Sequence, residues 1–185
     1  MSMMYRICWL IIVGAVCVVA GGIPNAQAGS SPPGEYEVKA AFLYNFAKFV
    51  EWPAEAFDDA DAPLTIGVLG EDPFGDTLEQ TVKGKTANGR KLAIRRFHKV
   101  RDLQPCHILF ISSSEKRHLS EILDRLKGSS VLTVGEVEGF AKRGGVINFF
   151  VEDNRIRFEV NVDAAKRAKL KMSSKLLRLA RIVRD

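Results

Sequence analysis

Short apolar runs alternate along this chain with segments whose apolar residues recur at helical spacing. The runs cover residues 64–69, 107–111 and 131–134, and each has the length of a strand that is buried on both faces of a sheet. After the first run, Asp72 can cap and Pro73 can open a helix that runs to Val82. After the second, residues 115–126 show helical spacing of apolar residues. Because parallel neighbouring strands need a crossover connection, this alternation predicts an α/β fold with a largely parallel sheet.

Further helices and a strand are predicted on either side of these runs. Helical spacing of apolar residues predicts a helix over residues 35–52, which Pro53 stops. Residues 91–97 alternate imperfectly and predict another strand. Two helices, over residues 162–170 and 173–183, are predicted to close the fold.

A pair of apolar segments near the C-terminal end predicts an antiparallel hairpin. Residues 146–151 and 155–160 flank Glu152-Asp153-Asn154, which is typical of a turn between two strands. Gly144-Gly145 predicts a tight turn before the first strand, in which Asn148 is a candidate buried polar residue. We therefore expect an α/β domain with a mostly parallel sheet of about five to six strands, helices on both faces and a C-terminal antiparallel hairpin at one edge.

Residues 1–28 have the three parts of a cleavable export signal. Arg6 supplies the positive start, residues 7–20 form an apolar run, and Ala26-Gln27-Ala28 is a small-residue cleavage site. The run is shorter than the roughly 20 residues that span a bilayer, which favours cleavage over an uncleaved anchor. We expect a signal peptide over 1–28, a flexible leader over 29–34, one domain over 35–185 and no membrane span after cleavage.

Of the three cysteines, only Cys106 lies outside the predicted signal peptide. An intramolecular disulfide in the processed chain is therefore excluded. Cys106 lies in an apolar run, where a buried inert thiol is the favoured interpretation and pairing between two chains is the alternative.

The formal net charge is +5, and basic residues are concentrated towards the C-terminal end. Because an exported domain seldom meets nucleic acid, this end favours contact with an acidic protein surface or with anionic lipid headgroups. A solvated helix face explains the same pattern. The basic residues concerned are Arg155, Arg157, Lys166, Arg167, Lys169, Lys171, Lys175, Arg178, Arg181 and Arg184.

Motifs that would indicate an enzyme or a metal site are incomplete. Gly84-Lys85-Thr86 lacks the glycine that a phosphate-binding loop requires where Glu79 stands. Ser112-Ser113-Ser114 lacks the glycine-flanked elbow of a nucleophile, and its last serine is expected to cap the next helix. His118 and Glu121 share one helical face, but the sequence supplies no further ligand. We predict no catalytic residues, no metal and no cofactor.

Several stretches form an ordered series along most of the chain. The longest, residues 38–53, reads VKAAFLYNFAKFVEWP. The others are residues 106–111, 132–135, 139–141, 144–149, 157–161, 164–165 and 170–180. In this order and spacing they resemble the YfiR family of exported regulatory proteins, which includes the HmsC-type proteins.

The resemblance implies a periplasmic, non-catalytic protein. Such a protein binds the periplasmic sensory domain of an inner-membrane diguanylate cyclase and represses it, which lowers cyclic di-GMP and biofilm formation. Family members often carry cysteine pairs that form disulfides and dimerise. The lone Cys106 argues against control by an internal disulfide and leaves homodimerisation open.

We expect the partner-binding surface where the hairpin passes into the basic C-terminal helices. Its candidate residues are Phe158, Glu159, Asn161, Leu170 and Lys171, of which Phe158 and Leu170 are equally candidates for the core. Repression needs only a surface with different affinities for the two states of the partner.

Two other functions compete with repression. A periplasmic sensor could bind a small ligand in the crevice at the carboxyl ends of the parallel strands and report it to a membrane kinase or cyclase. A hydrolase using residues 112–114 is the third interpretation, which the missing elbow disfavours.

Overall fold

The computed structural model describes residues 34–185, so the predicted signal peptide and residues 29–33 of the leader lie outside the described residues. Within the described range, no helix is both long and apolar enough to cross a membrane. The helices are α1 (Glu35–Phe49), α2 (Thr77–Val82), α3 (Leu119–Arg125), α4 (Val162–Arg167) and α5 (Ser174–Leu177).

Eight strands form one mostly parallel sheet, in the order β10-β8-β7-β6-β5-β2-β4-β3. Strand β8 is antiparallel to β7, β3 is antiparallel to β4, and the remaining neighbours are parallel. A separate antiparallel pair joins β1 to β9. The strands are β1 (Val50–Glu51), β2 (Leu64–Leu69), β3 (Thr86–Ala87), β4 (Arg90–Phe97), β5 (Ile108–Ile111), β6 (Leu132–Gly135), β7 (Ile147–Glu152), β8 (Arg155–Asn161), β9 (Lys171–Met172) and β10 (Arg181–Val183).

The predicted α/β class and the mostly parallel sheet are confirmed, but the predicted number of strands was too low. The two additional strands are β3 and β10, which lie at opposite edges of the sheet. Each is too short to show a repeating pattern of apolar residues, so periodicity does not detect it.

The C-terminal end differs most from the sequence prediction. The helix expected over residues 173–183 ends at Leu177, and Arg181–Val183 pairs in parallel with β8 instead. The β7–β8 hairpin itself is confirmed, and Asp153 and Asn154 in its turn have φ angles of 50° and 56°. Because β10 lies outside β8, the hairpin is not at the edge of the sheet.

Helix α1 is shorter than predicted. Glu35 and Glu37 in its first turn and Lys48 in its last turn complement the helix dipole. The helix ends at Phe49 because Val50 takes an extended conformation and pairs with Met172. Helices α2 and α3 are also shorter than predicted, since they begin at Thr77 and Leu119 instead of residues 73 and 115.

One face of the sheet, which we call the first face, packs against α1, α2, α4 and α5. Phe46 of α1 lies between the hairpin aromatics, with ring centroids 5.8 Å from Phe149 and 5.2 Å from Phe158. Leu43 is fully buried in the same layer. The hairpin is therefore anchored to the first helix by aromatic packing.

The opposite, second face is covered by helix only over its central strands. Leu109 and Ile111 of β5 pack there against Leu119 and Ile122 of α3. Among the described residues, none from β7, β8 or β10 belongs to that apolar layer. Since side chains alternate across a sheet, the residues of these three strands that do not enter the first layer lie on the second face. Asn161 is covered there by the turn at Ala141, whereas Phe150, Glu159 and Arg181 keep accessible surface.

Candidate functional site

Four side chains meet close to the carboxyl end of strand β6, and we call them the buried charge cluster: Glu35, Tyr36, Lys39 and Glu136. Lys39 Nζ lies 2.7 Å from Glu136 Oε2 and also bonds Glu35, one helical turn earlier. The side chains of Lys39 and Glu136 are only 4% and 8% exposed. A lysine is buried to this degree only when it is paired, as it is here.

The buried charge cluster joins three elements of the fold. Glu136 follows β6, and its Oε1 accepts a hydrogen bond from Ser113 N at 3.3 Å, in the loop after β5. The Tyr36 hydroxyl donates to Glu136 Oε2 at 3.4 Å. Burial, reinforced by the nearby carboxylates of Glu136 and Glu35, raises the pKa of Tyr36 to about 12. Because both oxygens of Glu136 are engaged, the cluster primarily fixes α1 to the sheet.

A groove with a volume of about 620 Å³ adjoins Glu136, and we call it the second-face groove. Asn148 and Phe150 of β7, Glu159 of β8 and Arg181 of β10 line it. Register places Asn148 and Arg181 on either side of Glu159. The guanidinium of Arg181 lies 4.2 Å from the Phe150 ring centroid, so a cation stacked on an aromatic ring forms part of the surface.

One wall of the second-face groove is the segment between β6 and β7, which Phe140 holds in place. The Phe140 ring occupies the space beside Gly135 and Gly145, and a Cβ at Gly145 would lie 2.0 Å from Phe140 Cε1. Gly144 has a φ of 97°, which confirms the predicted tight turn. This wall carries Lys142 into the groove lining.

The residues predicted to bind a partner occupy different environments. Phe158 and Leu170 are in the first-face core, with 2% and 5% of their surfaces exposed. Asn161 is fully buried, where its Nδ2 donates to Ala141 O at 2.8 Å and its Oδ1 caps α4. Glu159 is half-buried in the second-face groove, and Lys171 is exposed in β9. Only Glu159 and Lys171 thus present accessible surface.

The serine loop makes structural hydrogen bonds. Ser112, rather than Ser114, caps the following turn, since its Oγ accepts from Ser114 N at 3.4 Å. Ser114 Oγ accepts from Glu71 N at 3.0 Å. These bonds tie the loop after β5 to the loop after β2.

Cys106 and His107 are held in separate environments. Burial raises the pKa of the Cys106 thiol to about 12. His107 Nδ1 accepts from Thr65 N and its Nε2 donates to Ala56 O, each at 3.0 Å, and burial lowers the pKa of the ring. A neutral imidazole with these two bonds fixes the start of β2 and β5.

His118 Nδ1 lies 3.1 Å from Glu115 Oε2 on the protein surface. In the range 34–185, no three His, Cys, Asp or Glu side chains are grouped so that they could hold a metal ion.

The sequence analysis did not identify the buried charge cluster. Lys39 and Glu136 are separated by 97 positions, so their pairing depends on the tertiary fold. The local signal was the i, i+4 pair of Glu35 and Lys39 in the first half of α1. Such a pair is also typical of solvated helices.

A protein-family model described as YfiR/HmsC-like matches residues 36–181. Among solved structures, a conserved domain protein from Vibrio cholerae O1 biovar eltor str. N16961 matches with a TM-score of 0.50 and 11% identity, over 66% of this chain and 55% of that chain. The ABC domain in complex with L-Trp from Streptococcus pneumonia matches with a TM-score of 0.49 and 10% identity, over 64% of this chain and 54% of that chain. The chain thus spans about half the length of these solved structures, and the first likeness describes the fold alone.

Proposed function

Since this chain belongs to the YfiR/HmsC-like family, we propose that it binds the periplasmic sensory domain of an inner-membrane diguanylate cyclase and holds that enzyme inactive. Family membership over residues 36–181 carries the proposal and supports a periplasmic regulatory role. Repression lowers cyclic di-GMP in the cytoplasm and thereby reduces biofilm formation.

Binding energy alone is sufficient for this function. A repressor shifts a two-state enzyme by the difference between its affinities for the inactive and the active state. A near-complete switch needs a difference of about 5.5 kcal/mol, which a protein surface supplies without any chemical step. One accessible area for such contact is the second face of β7, β8 and β10 around Phe150, Glu159 and Arg181.

Deleting the gene and measuring cellular cyclic di-GMP tests the proposal. We expect the level to rise in the deletion strain and to return to normal when the wild-type gene is restored. A complementing gene without residues 1–28 is the control, because a product kept in the cytoplasm should fail to restore repression. An unchanged level after deletion would contradict the proposed function.

A further inference from the structure

Resting on the proposed function, we propose that the second-face groove is the docking surface for an extended acidic segment of the cyclase's periplasmic domain. The segment lies along the groove, directs carboxylate side chains to Lys116 and Lys142, and, as the groove lining shifts to admit it, donates a backbone N–H to Asn148. Three independent features of the groove support this occupant.

The first feature is the asymmetry of the β7–β8–β10 end of the sheet. Its first face is covered by α1, with Phe149 and Phe158 buried against Phe46. On its second face the described residues provide no apolar helical layer, and Phe150 and Arg181 stay accessible. The part of this face that carries Phe150, Glu159 and Arg181 is therefore open to another polypeptide.

The second feature is a buried hydrogen-bond acceptor without a partner. Asn148 is 3% exposed, and its Nδ2 donates to Glu159 Oε1 at 3.2 Å. Because a carboxylate only accepts, the amide nitrogen must face Glu159, which leaves Oδ1 directed elsewhere. Oδ1 has no hydrogen-bond partner among residues 34–185. Oδ1 also has almost no accessible surface, so the groove lining must shift before the N–H of a peptide backbone can satisfy this unpaired acceptor.

The third feature is the pattern of charge around the groove. Lys116 and Lys142 are exposed and lie in the groove lining, and neither has a carboxylate within 4 Å in the described part of the chain. Arg181, in contrast, is already paired with Glu152. The two lysines can therefore accept acidic side chains without breaking an existing ion pair.

An acidic polypeptide fits this combination better than a lipid surface. Glu136, Glu138 and Glu159 also line the groove, so a uniformly anionic lipid surface would face these carboxylates as well as the two lysines. An extended segment instead places its N–H groups and its side chains at different points along the groove, so donors and carboxylates each meet a complementary group.

Charge reversal in cells tests the inference against a matched control. The Lys116→Glu/Lys142→Glu variant should accumulate normally in the periplasm, yet leave cyclic di-GMP as high as in the deletion strain. Lys91→Glu/Lys99→Glu changes the net charge equally at exposed positions in and just after β4, and it should repress normally. If the groove variant lowered cyclic di-GMP as well as the control variant does, the inference would be overturned, while the proposed function would stay intact.

A measurement on the purified protein separates failure of the groove from failure of the proposed function. An oligoglutamate peptide, added at low salt, should shift the side-chain amide NMR signals of Asn148 in the wild type and in the Lys91→Glu/Lys99→Glu control. The same titration of the groove variant should leave these signals in place. The inference would be overturned if the peptide shifted only signals of α4 and α5. It would also be overturned if phosphatidylglycerol vesicles or a free amino acid, added in place of the peptide, shifted the Asn148 signals. This result decides the role of the groove even where gene deletion leaves cyclic di-GMP unchanged.

Discussion

Replacing Lys39 with methionine is the most informative perturbation of the buried charge cluster. Methionine retains much of the side-chain volume but removes the ammonium group that is shared by Glu35 and Glu136. Those two side chains are only 9% and 8% exposed, so the variant leaves two carboxylates desolvated and facing each other without a cation. Removing one partner of a buried ion pair costs about 3–5 kcal/mol.

Thermal unfolding followed by circular dichroism measures this cost. A domain of this size loses about 2–4 °C in Tm for each kcal/mol, so we expect Lys39→Met to lower Tm by about 10 °C. Lys127→Met, which removes the exposed partner of Asp124, should change stability by less than about 1 kcal/mol.

A compensating variant distinguishes lost charge from lost packing. The triple variant Lys39→Met/Glu35→Gln/Glu136→Gln has no net buried charge, and it should recover most of the lost stability because neutral amides are easier to bury than carboxylates. A Tm for Lys39→Met within about 2 °C of wild type, less than 1 kcal/mol, would refute the reasoning.

Three further predictions concern other buried groups. Gly145→Ala should destabilise the domain by about 1–3 kcal/mol through overlap with Phe140, and a double-mutant cycle should show that the same change costs little in a Phe140→Ala background. Because burial raises the pKa of the Cys106 thiol to about 12, this residue should resist alkylation at pH 8 in the native state and react once denaturant is added. Peptide mapping by mass spectrometry measures the labelling, and rapid labelling of the native protein would contradict the burial of Cys106. Because the pKa of Tyr36 rises from 10.0 to about 12 on folding, stability should fall as pH increases through that interval, and Tyr36→Phe should reduce the slope; an equal slope in both proteins would argue against the shift.

Elements with a continuous local pattern were predicted from the sequence with accurate bounds. Strand β2 occupies Leu64–Leu69 as expected, since every residue in it is buried and the run is bounded by turn residues. The β7–β8 hairpin was recognised because Asp153 and Asn154 tolerate the positive φ angles of its turn. In these segments local preference and tertiary environment favour the same conformation.

Elements that depend on distant partners were missed or assigned wrongly. Residues 173–183 have a helix-forming composition, but pairing of Ile182 with Val160 makes Arg181–Val183 a strand. Lys39 and Glu136 follow the same principle, since neither residue by itself indicates that the other will be near. The second-face groove was likewise beyond the sequence, because it exists only where α3 does not extend over β7 and β8.

The position of α1 also affects the order in which the protein can fold. Its aromatic residues pack against Phe149 and Phe158, and β1 at its end pairs with β9 at Lys171–Met172. The first helix therefore gains these contacts only from residues that are synthesised more than a hundred positions later. Contacts of such high sequence separation slow the folding of a domain. Until those late residues arrive, α2 can cover only part of the apolar side of α1, and Phe46 lacks its aromatic partners. A chaperone that shields this part of the helix would protect the nascent chain from aggregation.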